Sequence, residues 1–149
     1  MRSVLQRVQQ ASVSVDGEIV GQIGRGLVAL VAVLSGDGPA DIEYTASKIG
    51  SIRLFADEAG RMNRSVQDVD GAILLVSQFT LAGDARKGRR PAFDQAAPPE
   101  IARPMFETLT TRLRALGLVV ETGRFGAHMA LALVNDGPVT VMMDSRRVF

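Results

Sequence analysis

An α+β domain, with antiparallel and mixed sheet of about seven strands and two main helices on one side, is the fold class the sequence predicts. Three observations lead there. Valines alternate with serines at period two in Ser12-Val13-Ser14-Val15, the mark of a half-buried strand. Residues 27–34 and 73–76 are continuous apolar runs, as in strands covered on both faces. Ile101, Met105, Leu109, Leu113 and Leu116 recur at helical spacing. A chain of 149 residues can bury one core without staples, so residues 1–149 read as a single domain.

Taken in order, residues 3–10 and 11–15 are strand-like, and Asp16-Gly17 is a two-residue hairpin signal because both positions need φ > 0. Residues 18–23 return, Gly24-Arg25-Gly26 breaks the pattern, and residues 27–34 form the first buried strand. Ile42, Ala46, Ile49 and Ile52 place a helix over residues 40–52, after a Gly-, Asp- and Pro-containing start. Residues 53–55 look like a short strand, Glu58-Ala59-Gly60 like a turn, and residues 63–70 irregular. The strongest strand signal covers residues 72–79. Residues 81–99 are rich in Gly, Ala, Arg and Pro without periodicity, and a stretch of that length inside a small domain is usually functional. The second helix runs from Ile101 to Gly117, with Pro104 expected in its first turn, where no N–H is missed. Residues 118–122, 129–134 and 139–144 finish the chain as strands, and Asn135-Asp136-Gly137-Pro138 reads most simply as a hairpin turn between the last two.

Composition excludes several functions. There is no cysteine and one histidine, which removes disulfides, thiolate chemistry and multi-histidine zinc. No metal or other cofactor is expected. The net charge is +1, so any attraction to nucleic acid must be local. No apolar run approaches the ~20 residues of a membrane-spanning helix, and the first residues lack a signal-peptide pattern. A soluble cytoplasmic protein with no membrane partner is expected.

Four features could carry chemistry. Ser77, Gln78, Phe79 and Thr80 end the buried strand where it enters the irregular loop, a common place for sites. Exposed backbone N–H groups there could hold an oxyanion, although the same residues could simply close a strand. The second is Asn135-Asp136-Gly137-Pro138-Val139-Thr140. Read as more than a turn, a cis Gly137–Pro138 bond would aim two neighbouring carbonyls the same way, making an acceptor pair for an ammonium group. The third is the cationic set Arg86, Lys87, Arg89 and Arg90, which with Asp84 carries a local charge of +3. It is either a solvated face or a contact for phosphates. The last is His128. It invites a Ser–His–Asp triad, but no Gly-x-Ser-x-Gly elbow supports one, and a structural role is the simpler reading.

Ser77-Gln78-Phe79-Thr80-Leu81 together with Asn135-Asp136-Gly137-Pro138-Val139-Thr140 resembles the D-aminoacyl-tRNA deacylases. Gln6-Arg7-Val8, Ala11-Ser12-Val13, Met62-Asn63, Arg90-Pro91-x-Phe93 and Thr122-Gly123-x-Phe125-Gly126-Ala127-x-Met129 match that pattern in the same order, over almost the whole chain. Leu81-Ala82-Gly83-Asp84 and a longer tail after Asp144 depart from it. The resemblance implies a homodimer, with its site at the subunit interface, that hydrolyses D-aminoacyl-tRNA at the 3′ end and releases glycine misloaded on tRNA. It implies that the Gly137–Pro138 bond is cis and enters the partner's pocket, steadied by Arg7. It places Ser77, Gln78, Phe79 and Thr80 in the catalytic wall, with Phe125 and Met129 lining the same pocket. Catalysis by backbone N–H groups and the substrate's ribose hydroxyl is preferred. The alternatives are a covalent nucleophile at Thr80 or Ser77, and a non-catalytic module that binds tRNA ends.

Overall fold

β1 (Arg2–Val15) is the axis of the molecule. The computed structural model describes all residues, Met1–Phe149. β1 is one continuous strand rather than two. It pairs antiparallel with β3 (Gly26–Ala32) through its first half and with β2 (Glu18–Ile23) through its second. Asp16 and Gly17 turn β1 into β2 at φ 51° and 81°, both positive as expected of that hairpin. β3 continues in parallel to β6 (Ala72–Ser77), and β6 in parallel to β7 (Val119–Thr122). The order β2-β1-β3-β6-β7 curls towards a barrel. A Cβ added at Gly21 of β2 would lie 2.6 Å from the Thr122 carbonyl of β7, so only glycine permits that approach.

Alternation explains the two layers of core. Leu27, Ala29 and Val31 of β3 and Ile73 and Leu75 of β6 face the helices. Val28 of β3 and Leu74 and Val76 of β6 face the inside of the curl with Val8, Ala11 and Val13. α1 (Pro39–Ser51) and α2 (Pro99–Ala115) pack together on the first layer, on one side of the sheet. Asp41 in the first turn of α1 accepts from the Gly38 N–H at 2.8 Å and complements the helix dipole. α2 starts at Pro99, earlier than its apolar spacing suggested, so Pro104 stands in the second turn and not the first. The chain tolerates it because Glu100 and Pro104 both face solvent, where water can serve the carbonyl left without an N–H.

Two further expectations are corrected. Within the region read as irregular, β5 (Met62–Arg64) pairs with β4 (Phe55–Ala56), making eight strands in all. The hairpin expected at residues 135–138 does not exist. β8 (Ala130–Asp144) runs through it as one strand, and both of its halves pair antiparallel with β1. Pro138 would stand at the last position of that turn, where it has no N–H to donate back to Asn135. The extra residues leave the ladder instead: Val8 faces Asn135, Gln6 faces Thr140, and Arg7 alone stands opposite residues 136–139. No helix in the chain is long and apolar enough to cross a membrane.

Candidate active site

The parallel strands β3, β6 and β7 end on the same side, and β6 delivers Ser77 there. The Gln78 N–H donates to the Val31 carbonyl at 2.8 Å, and residues Phe79–Ala82 then close a 3₁₀ turn. Leu81 N–H bonds back to Gln78 O at 3.1 Å, and Gly83 N–H to Thr80 O at 3.0 Å. The N–H groups that open such a turn have no partner within it. Neither the Phe79 nor the Thr80 N–H takes part in the bonds of the turns and loops around it. Arg2 pins the end of the turn, donating to Leu81 O at 2.8 Å. Phe79 is 56% exposed and meets Phe93 edge-on, with ring centroids 5.3 Å apart.

No side chain here is arranged to activate a nucleophile. The Thr80 hydroxyl accepts from the Gln78 amide, which is no base. His128 is exposed and hydrogen-bonded to nothing, so it forms no triad and serves no structural bond either. No three His, Asp or Glu side chains converge where a metal could sit.

The bulge on β8 is built differently. The Gly137–Pro138 bond is cis, and Gly137 has φ +126°. Arg7 Nε donates to the Asp136 carbonyl at 3.1 Å and stands 3.3 Å from its carboxylate. Arg7 Nη1 donates to Leu54 O at 2.6 Å. Asn135 closes the base of the bulge: its Oδ1 accepts from the Val139 N–H at 3.0 Å and its amide donates to Thr140 at 3.1 Å. Gly137 and Pro138 are exposed at the tip.

One protomer does not bring the two motifs together. Ser77 is level with Val31 and Ser3, whereas Gly137 stands beside Arg7. Four residues along β1 span about 13 Å, and three strand spacings add about 14 Å across the sheet. Along the sheet the motifs are therefore about 20 Å apart. A hollow of about 500 Å³ lies at neither; Gln9, Gln10, Gln22 and Val134 line it.

Phe125 and Met129 follow β7 out of the sheet at the Ser77 end, where the Gly123 N–H bonds to Leu75 O at 3.3 Å. Phe125 packs on Phe106 of α2, centroids 6.1 Å apart, and Met129 packs against the inner core layer. Arg86, Lys87, Arg89 and Arg90 are exposed on a loop closed by paired backbone bonds between Asp84 and Ala92, at 2.8 and 2.9 Å. Arg86 is committed to Asp84 through bonds at 2.9 and 2.6 Å. Those bonds hold the Asp84 carboxyl down to about 2 and push the Arg86 guanidinium up. Lys87, Arg89 and Arg90 make no ion pair.

The chain is thus a two-helix α+β near-barrel whose parallel strands end on a short turn and whose last strand carries a proline bulge. A solved structure of a probable eukaryotic D-amino acid tRNA deacylase has the same fold at a TM-score of 0.79 and 20% identity, over 95% of this chain and 97% of its own. That of the c-Myc DNA unwinding element binding protein reaches 0.91 at 39% identity, over 97% and 98%. The family model for D-Tyr-tRNA(Tyr) deacylase matches residues 4–144. The D-aminoacyl-tRNA deacylase of Thermomicrobium roseum is 59% identical over 97% of this chain and 94% of its own length. That of Desulfitobacterium hafniense is 58% identical over the whole of both. The chain belongs to the D-aminoacyl-tRNA deacylase family.

Proposed function

We propose that this protein hydrolyses the ester linking a D-amino acid to the terminal adenosine of tRNA, and that it also releases glycine misloaded there. Water attacks the ester carbonyl, the acyl–oxygen bond breaks, and the ribose oxygen leaves as a hydroxyl. The Phe79 and Thr80 N–H groups receive the charge that develops on the carbonyl oxygen, and Ser77 and Gln78 shape the wall beside them. Loss of one such donor typically costs about 10²–10³ in rate. The neighbouring ribose hydroxyl assists the water. An aminoacyl ester is already activated, so placement and these donors suffice without a side-chain nucleophile.

Selection of hand comes from a second copy of the chain. Its Gly137 and Pro138 carbonyls hold the substrate ammonium, and Arg7 keeps that bulge in place. With the ammonium and ester both fixed, an L side chain is driven into the bulge, a D side chain points away from it, and glycine passes for want of a Cβ. Phe125 and Met129 line the pocket, and Lys87, Arg89 and Arg90 approach the tRNA. Two features support a homodimer: the motifs are too far apart to meet in one protomer, and β8 is a 15-residue edge strand whose outer edge has no partner. Val134 and Met142 are exposed along it.

The observation that carries this reading is the pair of N–H groups at Phe79 and Thr80 that open the turn at the end of β6, in a member of this family. Deacylation of D- and L-tyrosyl-tRNA side by side tests it. Rapid release from the D form with the L form spared is expected. Equal release from both, or from neither, contradicts it.

A further inference from the structure

We propose that Arg103 and Arg124 form a phosphate clamp at the mouth of the candidate site. The clamp grips the sugar-phosphate backbone of the tRNA acceptor end independently of the loop carrying Lys87, Arg89 and Arg90. It rests on the function proposed above and deepens it.

Two features single out Arg103. The first is that it has no partner. None of the chain's ion pairs uses Arg103 or Arg124, and neither side chain donates to a carbonyl. Glu100 and Glu107, at helical-neighbour spacing on α2, leave Arg103 free. The other two arginines of α2 are engaged: Arg112 pairs with Glu43 at 2.7 Å, and Arg114 donates to Val120 O at 2.9 Å.

The second feature is that Arg103 is held in place all the same. Its guanidinium carbon lies 4.8 Å from the centre of the Phe125 ring, and that ring rests on buried Phe106. The Arg103 Nη2 is 3.9 Å from where a Gly126 Cβ would be, so it covers the Phe125-Gly126 backbone. A guanidinium held on an aromatic face loses little further freedom on binding, and its in-plane N–H donors stay available for a bidentate acceptor.

Position supplies the partner. The same turn, closed by Ala127 N–H to Arg124 O at 3.2 Å, carries the exposed Arg124. It leaves the sheet directly after Gly123, whose N–H is bonded to Leu75, two residues before Ser77. Residues 123–129 contain no acidic side chain. Two unpaired guanidiniums therefore flank the exit of β6 on the α2 side. A planar, doubly charged donor set beside a site for a nucleic-acid end matches phosphodiester oxygens.

The test compares wild type with Arg103→Gln/Arg124→Gln on D-tyrosyl-tRNA and on the D-tyrosyl ester of adenosine, which has no phosphate. The clamp predicts a KM for D-tyrosyl-tRNA raised about tenfold with kcat retained, and unchanged hydrolysis of the adenosine ester. The log–log salt dependence of tRNA binding should flatten by about 1.4, at about 0.7 per single-strand phosphate contact. Equal loss on both substrates would mean that Arg103 merely props Phe125, and no change on either would mean no clamp; both overturn the proposal. Fluorescence anisotropy with uncharged labelled tRNA reads the clamp without catalysis. Weaker binding by the double variant supports the clamp even if wild type hydrolyses neither ester, a result that defeats the proposed function alone. Unchanged binding overturns the clamp whatever the activity.

Discussion

The end of β6 and the bulge of β8 are opposite solutions to placing backbone groups at a surface. At Phe79 and Thr80 the exposed groups are donors, tied down only by the short turn behind them and by Arg2. At residues 136–139 the free groups are acceptors, and two side chains from the strands themselves, Arg7 and Asn135, lock the backbone from below. In the proposed reaction the difference is functional. Stabilising charge on an activated ester needs donors in roughly the right place, whereas rejecting one hand of a side chain needs a wall that does not yield.

The contrast breaks most severely at Gly137. A Cβ there would stand 2.9 Å from both Arg7 Nη2 and Val139 Cγ2, at a φ of +126° that side-chain-bearing residues rarely adopt. Gly137→Ala should lower kcat/KM for D-tyrosyl-tRNA by more than about 10², the scale of an ångström of misplacement, with circular dichroism unchanged. Arg7→Ala should come next. It strips donors from Leu54 O and Asp136 O, and charge-assisted bonds are worth about 1.5–3 kcal/mol each. A lower melting temperature and a loss of activity are expected together, and Arg7→Lys should rescue little because one ammonium cannot span both carbonyls.

Thr80→Ala sharpens the comparison from the other side. If the donors at the strand end are backbone groups, activity should fall less than about tenfold, well short of the loss expected for a nucleophile or an oxyanion donor. A folded but inactive Thr80→Ala, or an acyl-enzyme trapped by mass spectrometry, would favour a covalent route. The smallest effect is expected at Asp84. Its folded carboxyl is held at about 2 by Arg86, below the ordinary 3.8. Its contribution to loop order is therefore present above about pH 4 and fades as pH falls through 2, which a carbon-detected titration would follow. Asp84→Asn should free Arg86 and steepen the salt dependence of tRNA binding by about 0.7.

The strand end was legible in the sequence because its signal is local: Ala72-Ile73-Leu74-Leu75-Val76 announces a buried strand, and Ser77 to Thr80 follow it directly. Both helices were legible for the same reason, apart from the start of α2, which Pro104 obscured. The bulge was misread as a turn because its form depends on pairing with β1, some 130 residues away. Nothing local to Asn135-Asp136-Gly137-Pro138 says that Gln6 and Val8 will hold its two ends. Arg103 carried no signal either, since its meaning comes from Phe125, which the fold places beneath it.

Mixing two disabled chains tests most directly whether the strand end of one copy works with the bulge of another. Phe79→Pro removes a donor at a turn position where proline's φ is allowed, and Gly137→Ala spoils the bulge. Each alone should be inactive on D-tyrosyl-tRNA. When both are co-expressed and paired at random, half the dimers are mixed, and each mixed dimer has one intact composite site. Recovery of about a quarter of wild-type activity is expected from that two-fold symmetry. A mixture as inactive as its components would contradict a site shared between subunits.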